Sequence, residues 1–199
     1  KGISKKGNEK FDLKKYKLVE SDKELDKIVE EINSKKDIAV DTETSSLNAI
    51  NAKLLGVSIC IDPNKAFYIP IDHKNFKGPE MSKTLIKIKK IFENPNIIKI
   101  GQNIKYDILV LKKYNINISP IDDTMLISYV LDAGLNRHGL DTLSELHLNH
   151  KTISYKDITG TGKKKISFDE VEIKKAAEYA SEDADVTFRL YKYLKDRIK

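Results

Sequence analysis

IAVDTET, residues 38–44, is a run of apolar and β-branched residues interrupted by two acids. Ile38, Val40 and Thr42 alternate with Asp41 and Glu43, the period of a strand whose successive side chains point to opposite faces. The two carboxylates therefore project together, roughly 6–7 Å apart along the strand. Asp and Glu are poor strand formers, so two of them beside β-branched neighbours carry a local cost. Taken alone, the pair also fits the solvated outer face of an edge strand.

Working outward, Leu54–Ile61 and Ala66–Pro70 have the same strand character, and Asn64 in DPNK marks the turn between them. Upstream, Ser21 caps an expected helix, SDKELDKIVEEINSKK, with acids in its first turn and lysines at its end. Downstream, Ser82–Glu93 reads as a helix and Ile97–Ile100 as a short buried strand. Helices then dominate, at about 103–114, 123–132, 140–149 and 169–198. The stretch KDITGTGKKKISF, from Lys156, has little periodicity and reads as a loop. Strands first, then a helix, a strand and more helices describe an α/β chain with one main sheet, mixed in class and flanked by helices.

With 199 residues and 40% apolar content, the chain suits one core-forming domain. Residues 1–20, lysine-rich and weakly patterned, read as a basic tail or linker, and 21–199 as the domain. A single cysteine, Cys60, excludes an internal disulfide and fits a reducing cytoplasm. No apolar stretch approaches the roughly 20 residues of a membrane span. Nor does the start, KGISKKGNEK, carry a secretory leader; it reads as part of a soluble piece of something longer. The net charge of +6 suits a polyanionic partner, although its near-complete reliance on lysine also fits a compositional bias.

Two further acidic features follow. GQNIKYDILVL, from Gly101, comes directly after the IIKI strand, so Asn103 is placed to cap a helix carrying Asp107. Alone, Asp107 fits an acid answering the helix dipole. EYASEDADVTFRL, from Glu178, sets Tyr179 and Asp183 four apart on one helix face, amid residues expected to be buried. Glu182 and Asp185 fit ordinary solvated acids. If Asp41, Glu43, Asp107 and Asp183 converge, each pair at about 4 Å repels by about 4 kcal/mol at a dielectric near 20. Such a cluster is comfortable only around cations, and oxygen ligands without His or Cys select Mg²⁺ or Mn²⁺. His147 and His150 fit surface packing, because no acid or cysteine is spaced with them as a metal partner.

VDTETSSL, GQNIKYDILVL and YASEDADVT resemble the three motifs of the DEDD exonuclease superfamily, in the form with Tyr four residues before the last Asp. NRHGLDTLSEL, from Asn136, and SYKDITGTGKKKISF, from Ser154, extend the resemblance to the 3′–5′ proofreading exonuclease domain of bacterial family A DNA polymerases, over about Ile38 to Leu194. The resemblance implies a ribonuclease H-like fold and hydrolysis of DNA from its 3′ end with two divalent ions, Mg²⁺ or Mn²⁺. Asp41, Glu43 and Asp183 would hold one ion and Asp41 with Asp107 the second, while Tyr179 would orient the attacking water. Leu47 would wedge against the terminal base. Thr42, Gln102, Asn103, Tyr106 and Tyr155 would contact the strand, and Arg137 a phosphate. The implied partner is single-stranded or frayed DNA, with a polymerase domain joined in the parent protein. A ribonuclease D-type RNA exonuclease shares the acids and the tyrosine. A silent DNA-binding scaffold is the other alternative, disfavoured by the intact acids.

Overall fold

The computed structural model describes residues 10–198. Six strands form one mixed sheet in the order β1-β4-β3-β2-β5-β6. The meander β2 (Asp37–Thr44), β3 (Leu54–Asp62) and β4 (Lys65–Pro70) is antiparallel throughout. β5 (Ile98–Gly101) lies parallel to β2, and β6 (Ile121–Asp123) parallel to β5. The short β1 (Lys17–Leu18) completes the opposite edge, parallel to β4.

Period-2 alternation in β2 divides the core. Ile38 and Val40 join one cluster with α1 (Asp22–Asn33), α2 (Met81–Phe92) and α3 (Lys105–Lys112), through Leu25, Ile28, Ile32, Ile88, Phe92 and Val110. Ala39, between them, points the other way and joins α4 (Thr124–Asp132), α5 (Leu140–Leu143) and α7 (Ile173–Lys195). α7 crosses β1 to β5, and Ala176, Ala180 and Ala184 are wholly buried beneath it. Side chains this small let a helix backbone sit close to a sheet. α1 starts as expected, with the Ser21 hydroxyl accepting from the Glu24 amide at 3.3 Å. Among the described residues, no helix is long and apolar enough to cross a membrane.

Several expectations are corrected. Residues 1–9 of the expected tail lie outside the described residues. Residues 10–20, read as linker, instead pack on the domain: Val19 is fully buried, and the Tyr16 hydroxyl donates to Asp185 at 2.8 Å. Two-residue β1 is too short to show a strand period among so many lysines, and it forms because the β4 edge accepts it. β6, also missed, is three residues long and opens directly into α4. Asn103 does not cap α3 but takes a left-handed conformation, φ 61°. The first free amides near α3 go instead to Asp123, whose carboxylate accepts from Asn103 N at 3.1 Å and Ile104 N at 2.9 Å. Asp123 also caps α4 through Met125 N at 2.8 Å, so one buried acid ties two helix starts together. The aperiodic stretch from Lys156 begins in α6 (Tyr155–Thr159), held by a reciprocal cap between Ser154 and Asp157, and continues through two single helical turns.

Candidate active site

Because Asp41 and Glu43 share the parity of Ala39, they face α7, where Asp183 lies one turn beyond Tyr179. Carboxylate oxygens of Asp41, Glu43 and Asp183 all lie within 4.8 Å of one another. Asp107 arrives from the opposite side of β2, on α3. Its Oδ1 accepts from Thr42 N at 3.0 Å and Thr42 Oγ1 at 2.5 Å. Three of the four acids thus form one group, and the fourth is tied to the residue between the first two. Thr42, expected to touch substrate, spends its hydroxyl and amide on holding Asp107.

Electrostatics confirm that this arrangement is uncomfortable without cations. Burial first, and then the Asp183 charge, pushes the Asp41 carboxyl up to about 8. Burial likewise raises Asp183 to about 8, against the lowering effect of its hydrogen bond with Tyr179. Glu43 is held well above the usual carboxylate range by burial and by Asp41, Asp183 and Asp107, and Asp107 by burial and Asp41. Glu43 Oε1 is buried with no hydrogen-bond partner. An orphaned carboxyl oxygen among three other acids is what a hard divalent cation satisfies, so these residues fit such an ion. The Tyr179 phenol, raised far above its ordinary value by burial and then by Asp183, stays a hydrogen-bond donor beside the group.

The walls come from other elements. Tyr155 stands edge-on to Tyr179, ring centroids 6.0 Å apart, and stacks against Phe168 at 6.4 Å. Leu47 is 99% exposed on the loop after β2. The half-buried Tyr106 reaches that loop, its hydroxyl bonded to Thr44 Oγ1 and the Ser46 carbonyl. Gln102 donates to the His138 carbonyl at 2.7 Å, while Asn103 and Arg137 are exposed at the surface. Two contributors went unread in the sequence: Gly56 and Tyr68. Gly56 pairs with Glu43 across the sheet, and a Cβ there would strike the Tyr68 ring. The buried Tyr68 thereby lies close enough for Glu43 to raise its phenol, after burial. Nothing in the local sequence announces this, because the contact joins three strands.

Glu182 and Asp185, expected as solvated acids, are corrected: they are 1% and 0% exposed. Asp185 accepts from Arg189 Nε at 2.8 Å, Tyr16 at 2.8 Å and Asn64 N at 3.0 Å. Glu182 accepts from Ile153 N at 2.6 Å and is paired with His150 Nε2 at 2.8 Å. His150 thus has an acid partner that its spacing hid, and it stacks on Phe11 at 3.7 Å. His147 stacks on Tyr193, as a packing role requires.

Residues 16–199 match the 3′–5′ exonuclease family. DNA polymerase I of Rhizobium leguminosarum is 42% identical over 94% of this chain, which covers 20% of that protein. This chain therefore spans about a fifth of the length of such a relative. Among solved structures, Brucella melitensis NrnC with bound Mg²⁺ superimposes with a TM-score of 0.66 at 22% identity, covering 92% of this chain and 81% of that one. Escherichia coli RNase D superimposes with a TM-score of 0.68 at 16% identity, covering 91% and 44%. The fold is ribonuclease H-like.

Proposed function

The chain belongs to the 3′–5′ exonuclease family, with bacterial DNA polymerase I among its relatives, and on that premise we propose that it hydrolyses DNA one nucleotide at a time from the 3′ end. The observation that carries the reading is the half-buried group of Asp41, Glu43 and Asp183, with an unpartnered Glu43 oxygen. Asp41, Glu43 and Asp183 would hold one divalent cation, and Asp41 with Asp107 a second. Mg²⁺ is the first candidate, since the Brucella relative in fold is described with it bound. Such ions supply a Lewis acid for the phosphoryl oxygens and lower the pKa of a water to near neutrality. Tyr179, a donor fixed beside Asp183, would orient the attacking water while the 3′ oxygen of the penultimate nucleotide departs. Thr42 and Tyr106 would hold Asp107 and the Leu47 loop in place, as well as bordering the strand. Leu47, Tyr106 and Tyr155 would meet the last bases by their faces, Asn103 would contact the last nucleotides and Arg137 a phosphate.

DNA is favoured over RNA because the relative at 42% identity is a DNA polymerase, whereas RNase D shares the fold at 16%. We place the domain in the cytoplasm, joined to a polymerase domain and trimming frayed or mismatched 3′ ends. A time course on 5′-labelled single-stranded DNA and RNA, with Mg²⁺ or with EDTA, tests this. The expected result is a DNA ladder shrinking from its 3′ end only when metal is present. Full activity in EDTA, internal cuts, or faster loss of RNA would overturn it.

A further inference from the structure

Arg137 lies exposed between α4 and α5, in residues 133–139, a stretch without helix or strand and with Gly134 at φ +78°. A phosphate contact made from such a segment needs something to hold the backbone still. The hydrogen bonds of the neighbouring residues supply it. The Gln102 Nε2 donates to the His138 carbonyl at 2.7 Å. Gln102 Oε1 lies 2.5 Å from the Thr124 hydroxyl, which fixes which end of the amide faces His138. The His138 ring in turn sits 2.9 Å, Nδ1 to Oγ, from the fully buried Ser128, and meets Tyr129 edge-on at 5.4 Å. Both polar ends of Gln102 are therefore used inside the protein, at the corner where β5 ends and the segment leading to Asp107 begins.

We propose that His138 is a positioning residue. Clamped by Gln102 through its carbonyl and by Ser128 through its ring, it fixes the adjacent Arg137 over the phosphate backbone of the incoming strand. On this account Gln102 acts on the substrate through His138 rather than by touching it. The inference rests on the phosphate role given to Arg137 above, and the experiment separates the two.

Binding of 5′-fluorescein-labelled oligothymidylate is measured in EDTA at several salt concentrations, and kcat and KM are measured in Mg²⁺. Arg137→Ala should weaken binding about tenfold, as expected for a hydrogen bond to a charged group. It should also flatten the slope of log Kd against log salt by about 0.7, one phosphate on a single strand. His138→Ala should weaken binding several-fold and raise KM in parallel, with kcat nearly unchanged. The Arg137→Ala, His138→Ala double variant should bind like Arg137→Ala alone, because residues acting through one contact are not additive. His138→Asn, whose amide can meet Ser128, should recover most of the loss, and Ser128→Ala should reproduce a part of it. Weakened binding by Arg137→Ala beside unchanged binding by His138→Ala overturns the positioning role alone. Independent, multiplying effects in the double variant do the same. Wild-type affinity and salt slope in Arg137→Ala overturn the phosphate contact, and this inference with it.

Discussion

Two acidic clusters share helix α7, set side by side in the sequence SEDAD, and they are built on opposite terms. Asp185 is surrounded by donors: Arg189, the Tyr16 hydroxyl and the Asn64 amide. Its neighbour Glu182 has His150 and the Ile153 amide. Asp183, between them, looks toward Asp41 and Glu43 and has Tyr179 as its donor. Asp41 and Asp183 are half-buried, but Glu43 beside them is buried as Glu182 and Asp185 are, so burial alone does not separate structure from chemistry here. Satisfaction does. A buried carboxylate with its hydrogen bonds filled holds the fold together, whereas one left facing other carboxylates waits for a cation.

The comparison breaks most sharply by exchange of the two aspartates. Asp183→Asn should reduce exonuclease turnover by on the order of 10³-fold or more if, as proposed, it removes a metal ligand from the reacting centre. In EDTA above about pH 8, where Asp183 is ionised, its urea midpoint should equal or exceed that of the native protein, because one repelling charge has gone. Loss of stability together with activity would place Asp183 in the same structural class as Asp185. Asp185→Ala should do the reverse. Removing the buried carboxylate that accepts from Arg189, Tyr16 and Asn64 should cost about 3–5 kcal/mol in urea unfolding, with metal binding by the folded protein retained.

Tyr179→Phe sharpens the catalytic side. Removal of one hydroxyl beside Asp183 should slow turnover by about 10²-fold, with Mn²⁺ affinity by calorimetry almost unmoved. A lost metal affinity would make the phenol a structural support of the ligands instead. The last effect concerns stability against pH in EDTA. Asp41 and Asp183 titrate near 8 when folded and in the ordinary carboxylate range when unfolded, so the folded state holds more protons between. Stability must then fall as pH rises through that window, from about 4 to about 8. Melting of the metal-free protein from pH 5 to 8 should show the midpoint falling, and saturating Mg²⁺ should flatten the trend. An unchanged midpoint in EDTA would mean that the acids ionise without penalty.

Much of this arrangement was readable in the chain. IAVDTET alternates cleanly because one face of β2 must meet α1–α3 and the other α7, and that alternation put Asp41 and Glu43 on a common face. Tyr179 and Asp183, four apart, needed only a helix to share a side. The failures share a cause in non-local partners. β1 exists because β4 offers it an edge, and Asp123 caps α3 from twenty residues away. The sequence SEDAD likewise gives little sign of which of its three acids has donors, since apart from Arg189, four positions beyond Asp185, those of Glu182 and Asp185 come from residues 16, 64, 150 and 153.

The run of elements from β2 to β5 and the two faces of β2 were thus legible in the sequence alone, because periodicity acts within a few positions, whereas the four acids were singled out by the resemblance of their motifs to a family. Only the tertiary structure decided that Asp107 is held through Thr42, that Glu182 and Asp185 are buried braces, and that Gln102 grips His138. Each of these depends on which donor folding brings within about 3 Å of an oxygen, a distance that hydrogen bonding requires and that spacing along a chain does not encode.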